Sequence, residues 1–128
     1  MEFTVNTEGR VELRDVSGTV ENFVDIEDGL CNVYVRHTTA GVLINENESR
    51  LLGDIKDFLE KTVPERDGYG HDKIDDNADS HLRSMLLQSE VTLPVEDGEL
   101  GLGTWQSLLF FEGDGPRKRT VKVTTVGD

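Results

Sequence analysis

The three histidines of this 128-residue chain stand where apolar patterns turn polar. His37 closes "LCNVYVRH", His71 lies in the glycine-rich "GYGHD", and His81 borders the apolar side of "NADSHLRSML". If residues 31–37 form one strand, Cys31, Val33, Val35 and His37 share the inward face, and His37 leaves the core at its rim. On the next strand Val42, Ile44 and Glu46 share a face, with Asn45 opposite. An acid that continues an apolar face must be paired, protonated or bound to a cation. On the helix that follows, Ala78, His81, Leu82 and Met85 share one side, and Asn77 stands one turn before His81. Three converging imidazoles, with Glu46 or Asp72, would make a zinc site with an open position. Their spacing is not that of a compact metal motif, and each histidine alone reads as a hydrogen-bonded rim residue.

A second set of residues suits anions. "LGLGTWQ", residues 100–106, is a glycine-punctuated turn whose backbone can approach a ligand and aim N–H groups at it. The plainer reading is a tight turn. Gln106 shares a face with Leu108 and Phe110, where an amide needs a partner. In "EGDGPRKR", an ordinary hairpin turn, Arg117 and Arg119 alternate onto one face, and guanidinium groups match phosphate geometry.

Composition limits the partners. The net charge of −13 argues against nucleic acid, which is bound by a basic face. From Gly101 onward, however, four bases face three acids, a local reversal suited to an anion. No apolar run is long enough to span a bilayer, and "MEFTVNTEGR" has no signal h-region, so a cytoplasmic, membrane-free protein is expected. The single Cys31 excludes an intrachain disulfide and reads as a small buried hydrophobe.

The elements that must position these residues follow from periodicity. "EFTVNT" and "RVELRDV" alternate around "TEGR" and suggest an opening hairpin. In "SGTVENFVDIEDG", Ser17 is a candidate N-cap and Gly29 a candidate C-cap. "LCNVYVRH" and "GVLINE" read as strands around "TTA". "NESRLLGDIKDFLEKTVP" is the clearest helix, with Leu51, Leu52, Ile55, Phe58 and Leu59 on one stripe and Pro64 as its stop. After the polar loop "ERDGYGHDKIDD", a second helix over "DDNADSHLRSMLLQ" is capped by Asp75 or Asp76 and turns Ala78, Leu82, Met85 and Leu86 inward. "EVTLPV", "TWQSLLFFE" and "RKRTVKVTTV" complete the strands, with turns at "EDGE" and "GDGP". The expected fold is one α+β domain over residues 1–128, with two main helices on a largely antiparallel, sandwich- or barrel-like sheet. Both faces of "WQSLLFF" are mostly apolar, so that strand should be covered twice. With few helices to cover it, a neighbouring subunit is expected to help.

Together, "HTTAGVLINENE", "GHDKIDDNADSHL" and "VEDGELGLGTWQSLLFFEGDGPRKR" resemble the secondary thiamine-phosphate synthase, or YjbQ-like, family in order and spacing, over residues 37–119. The resemblance implies an α+β homotrimer with a histidine-bounded pocket near a subunit boundary, and a bound divalent metal, zinc or magnesium, on His37, His71 and His81. It implies no organic cofactor. The implied activity, main or secondary, joins hydroxymethylpyrimidine diphosphate to thiazole phosphate with loss of pyrophosphate. Matched positions are His37, Asn45, Glu46 and His81, taken as catalytic. Thr38, Thr39, Asn77, Gly103, Thr104, Trp105, Gln106, Arg117 and Arg119 are taken as substrate-binding, and His71 and Glu112 also match. Asp79 and Ser80 depart from the family pattern, and a carboxylate there would stand beside His81. Two other readings compete: a metal-dependent hydrolase of small phosphorylated substrates, and a non-catalytic trimeric ligand-binding protein whose polar residues fix packing.

Overall fold

Period-two alternation of buried and exposed residues places the core between two antiparallel sheets. The computed structural model describes residues 1–128. The larger sheet runs in the order β1 (Glu2–Asn6), β8 (Lys118–Gly127), β3 (Gly29–Val35), β5 (Glu90–Glu96) and β6 (Glu99–Leu100); the smaller is β2 (Glu12–Asp15), β7 (Ser107–Glu112) and β4 (Ala40–Asn45). Cys31, Val33 and Val35 of β3, Val121 and Val123 of β8 and Val91, Leu93 and Val95 of β5 meet Val42 of β4 and Leu108 and Phe110 of β7 in one core cluster. The expected α+β, antiparallel single domain is the one observed, with three α-helices. No helix is long and apolar enough to cross a membrane. Cys31 is buried, which pushes its thiol above the ordinary range and suits an inert core residue.

β7 is covered twice, as its sequence requires: Leu108, Leu109, Phe110 and Phe111 are all buried. The "EDGE" turn holds Asp97 and Gly98 at positive φ, 52° and 78°, the geometry of a two-residue hairpin. Four expectations are corrected. β1 and β2 do not pair with each other: β1 joins β8 and β2 joins β7. Alternation identifies a strand, but its partner is chosen by which sheet can bury its apolar face. Ser17 is not a cap but the first residue of α1 (Ser17–Glu21), where Asp15 Oδ1 accepts its N–H. Gly29 opens β3 instead of closing a helix; at φ 148° a Cβ there would lie 2.1 Å from the Val126 carbonyl oxygen.

The fourth correction concerns the helices. α2 (Ser49–Thr62) ends before Pro64 as expected, yet of its stripe only Leu59 is buried and Phe58 is exposed. α3 (Ala78–Leu86) has Asn77 at its N-cap, and Asp72 Oδ1, not Asp75 or Asp76, accepts the Ala78 N–H at 3.0 Å. Its buried face is polar: Asp79, Ser80, Arg83 and Ser84 point in, while Met85 is 72% exposed and Leu86 faces solvent. The cause is an ion cluster. Asp79 accepts both Arg10 Nη1 and Nη2 at 3.0 and 3.1 Å and pairs with Arg83 Nη1 at 3.0 Å. Arg83 Nε donates to the Val63 carbonyl, and Ser80 Oγ donates to that of Gly113. These bonds offset the cost of burying charge and override the apolar stripe.

Candidate functional site

Three times the chain crosses from one sheet to the other at the same end of the molecule. The crossings are 7–11 (β1 to β2), 36–39 (β3 to β4) and 113–117 (β7 to β8). Glu112, fully buried, sits where they meet. It accepts from Thr7 Oγ1 at 2.8 Å in the first crossing and from the Asp114 N–H at 2.9 Å in the third. Arg119 clasps the same carboxylate through Nε and Nη2, and Nη2 also donates to Thr39 Oγ1 at 2.8 Å in the second crossing. Burial alone would raise the Glu112 carboxyl, but the Arg119 guanidinium, the Asp114 amide and the Thr7 hydroxyl outweigh it and hold the pKa below the ordinary range.

Above this knot lies an open cleft of about 450 Å³ with no apolar lining residue. Its walls hold Arg36, His37, Thr38, Thr39, His71, Asp75, Asn77, His81, Arg117 and Arg119. An adjoining hollow of about 310 Å³ shares His37, Thr38 and His81 and adds Ala40, Ser84, Met85 and Ser89. The rings of His71 and His81 meet edge to face with centroids 4.7 Å apart, so the three histidines do line one opening. Three guanidinium groups and one carboxylate line this opening in a chain of net charge −13, with Arg119 paired to Glu112 and Arg117 to Asp114 behind the wall.

His37 lies just beyond β3, whose ladder ends at Val35, and its Nε2 accepts the Thr120 backbone N–H at 3.0 Å. A backbone N–H can only donate, so the ring proton sits on Nδ1. Burial, then the Arg119 charge, lowers the pKa of His37 and keeps it neutral. His71 Nε2 lies 3.1 Å from Asn77 Oδ1, and Asn77 Nδ2 donates to Asp114 Oδ2 at 2.9 Å. Arg117 is held back on Asp114 by Nε to its carbonyl (2.9 Å) and Nη2 to its carboxylate (3.1 Å). Asp79, expected beside His81, is committed to Arg10 and Arg83.

A metal on His37, His71 and His81 would need a lone pair from each ring. His71, whose Nε2 faces an acceptor oxygen, could still offer Nδ1, but His37 gives its only lone pair to Thr120. Neither Glu46 nor Asp72 is among the cleft walls: Glu46 lies elsewhere, and Asp72, whose Oδ1 accepts the Ala78 N–H while its Oδ2 is buried without a partner, sits behind them. With His37 committed to Thr120, the residues do not fit a three-imidazole centre.

The remaining candidates lie at the other end of the smaller sheet. Ala40 pairs with Glu112 but Asn45 with Ser107, so Asn45 and Glu46 stand about 16 Å down the strand. Asn45 Oδ1 accepts the Glu46 N–H, and the Glu46 carboxylate bonds to nothing in the chain. Trp105, with Thr104, precedes β7 and is 74% exposed. Gln106 is not on the strand either; its Oε1 accepts the Gly103 N–H at 2.8 Å, so that N–H is closed into a turn and not aimed at an anion. Sequence reasoning missed Arg36 as a cleft residue, and Asp114, which reads as an ordinary turn aspartate.

Across residues 1–128 the chain matches the family described as UPF0047 protein YjbQ-like. It is 53% identical to a UPF0047 protein of Archaeoglobus fulgidus over 96% of this chain and 98% of that one. With a UPF0047 protein of Methanothermobacter thermautotrophicus it shares 50% identity over 98% of this chain and 90% of the other. Among solved structures it superposes on a hypothetical protein of Aeropyrum pernix K1 with TM-score 0.96 and 42% identity, covering 100% and 98% of the two chains. An uncharacterized YjbQ/UPF0047 protein of Clostridium acetobutylicum gives TM-score 0.94 at 35% identity, covering 98% and 99%.

Proposed function

We propose, for a chain that belongs to the YjbQ-like family UPF0047, that its cationic cleft binds a small phosphorylated substrate and that the chain is a transferase of the thiamine-phosphate synthase type. In that reaction the thiazole ring nitrogen bonds to the methylene carbon of hydroxymethylpyrimidine diphosphate. The carbon–oxygen bond to diphosphate breaks, and the electron pair leaves on pyrophosphate. The charge that develops on the leaving group is what preorganised guanidinium and N–H donors stabilise.

One observation carries this reading: Arg36, Arg117 and Arg119 converge on a wholly polar cleft in a strongly acidic chain. Arg117 is fixed by Asp114, and Arg119 by Glu112 and Thr39, so little conformational freedom is lost when an anion arrives. Neutral His37 adds a donor N–H on Nδ1. Calorimetric titration of pyrophosphate, beside a product assay with the two precursors, tests it. Binding and product, both reduced by Arg117→Ala, are expected. Absence of both overturns the reading, and binding without product leaves a non-catalytic ligand-binding protein.

The chain is also proposed to self-associate as a homotrimer. The support is what one copy leaves open: Trp105 and the unpaired Glu46 at the far end, Phe58 on α2, and Met85 and Leu86 on α3. A neighbour would cover these and bring Asn45 and Glu46 toward a second cleft. Sedimentation of a species three times 14.3 kDa is expected, and a single-chain mass at all concentrations would overturn it.

A further inference from the structure

Asp114 lies on the crossing between β7 and β8, behind the cleft wall, and bonds to two lining residues at once. Its Oδ2 accepts Asn77 Nδ2 at 2.9 Å and Arg117 Nη2 at 3.1 Å, and Arg10 Nε lies 3.9 Å from Oδ1. Burial alone would raise its pKa, but the bonds from Asn77 and Arg117 hold the carboxyl below its ordinary range, so it is an acceptor only.

An amide beside a carboxylate has one acceptable orientation. Turned over, Asn77 would set its oxygen against Asp114 and its NH2 against His71. In the observed orientation Asn77 Oδ1 faces His71 Nε2 at 3.1 Å. An oxygen can only accept, so that nitrogen carries a proton, and in the uncharged ring the lone pair is then on Nδ1.

We propose that Asp114 is the positioning residue of the cleft: through Asn77 it sets His71 as the Nε2–H tautomer, and directly it holds the guanidinium of Arg117. One carboxylate thereby sets a ring on the α3 side and a guanidinium on the β8 side of the same opening. The consequence for binding rests on the anion-binding reading above; the tautomer does not.

The experiment uses the full chain with 15N-labelled histidine and compares wild type, Asp114→Asn and Asp114→Glu. The ring-nitrogen spectrum of His71 is expected to read Nε2–H in wild type. It should become a tautomer mixture in Asp114→Asn and return largely to Nε2–H in Asp114→Glu. A wild-type Nδ1–H tautomer, or an unchanged one in Asp114→Asn with the backbone spectrum intact, overturns the proposal. If Asp114→Asn does not fold, Asn77→Ala gives the same reading from the other side of the relay: the tautomer must change there too, and an unchanged one overturns the proposal. Pyrophosphate titration of the same proteins should show about tenfold or greater weakening in Asp114→Asn, since charge-assisted bonds are lost. A tautomer change in a chain whose wild type binds no pyrophosphate upholds the relay and removes the anion reading. Equal pyrophosphate affinity in wild type and Asp114→Asn would show that Arg117 needs no such hold and would overturn that half.

Discussion

The two ends of the smaller sheet carry equally polar sequences and treat them in opposite ways. At the Glu112 end, Glu112, Arg119, Thr7 and Thr39 are buried and bonded to one another across three crossings. At the Ser107 end, Glu46 has no partner, Trp105 stands in solvent, and Gln106 closes a turn on Gly103. The lesson is that polar residues at a strand end are preorganised only where several segments arrive together. At the first end those segments meet around one buried ion pair; at the second they meet only around Asp15, which bonds Ser17 and Asn47, and leave Glu46 and Trp105 open.

The largest break in this comparison is Glu112→Ala. It strands the Arg119 charge in the interior and is expected to cost about 3–5 kcal/mol in urea unfolding. Replacing both partners, Glu112→Met with Arg119→Met, should cost much less, because no unpaired charge remains. Equal losses would mean that the pair is not what closes this end.

Arg117→Ala comes next. Arg117 bonds outward from the knot and is half exposed, so its loss should reduce pyrophosphate affinity by roughly tenfold to a hundredfold and leave the unfolding midpoint nearly unchanged. Affinity equal to wild type would separate the cleft from the anion.

A smaller effect is the pH dependence of stability. The pKa of His37 is lowered in the fold, so below about 6.5 the unfolded chain takes up a proton that the folded chain resists. Its contribution is complete above that pH and is lost as pH falls toward the folded value. Glu112, Asp114, Asp15 and Glu12, also lowered, add losses of the same sign in a more acid window, once the unfolded carboxyls begin to protonate. His37→Gln should flatten the upper part of the profile and leave the lower part. An unchanged profile would mean that burial beside Arg119 does not govern the ring.

The smallest effect on the fold is expected at the open end. Trp105→Ser should leave the far-UV spectrum intact, within about 0.5 kcal/mol of wild type in single-chain stability, while lowering the sedimenting mass on dilution. An unchanged mass would show that this end is not a contact.

How much of this was readable beforehand differs by element. The alternation in "GLCNVYV" and "VKVTTV" and the dense apolar run "SLLFF" mark strands and their buried faces, because a period of two leaves one solution on a pleated sheet. The turn at Asp97 and Gly98 follows from the ease with which these residues adopt positive φ. The three histidines could be picked out as rim residues, and they do share an opening. α3 was misread because its stripe counts apolar residues, whereas Asp79 and Arg83 gained partners from Arg10 and Val63, far away in the chain. Helical periodicity carries no information about such partners.

By itself, then, the sequence determined the strands, the two main helices and the residue types available for anion chemistry, since those follow from local period and side-chain chemistry. Only the tertiary structure decided that β1 and β2 part company, that Asn45 and Glu46 lie away from His37, and that Asp114 governs Asn77 and Arg117. The strand pairings and the Asn77–Asp114 bond join residues tens of positions apart, and such contacts are selected by which packing buries the apolar faces while leaving the fewest polar atoms unbonded.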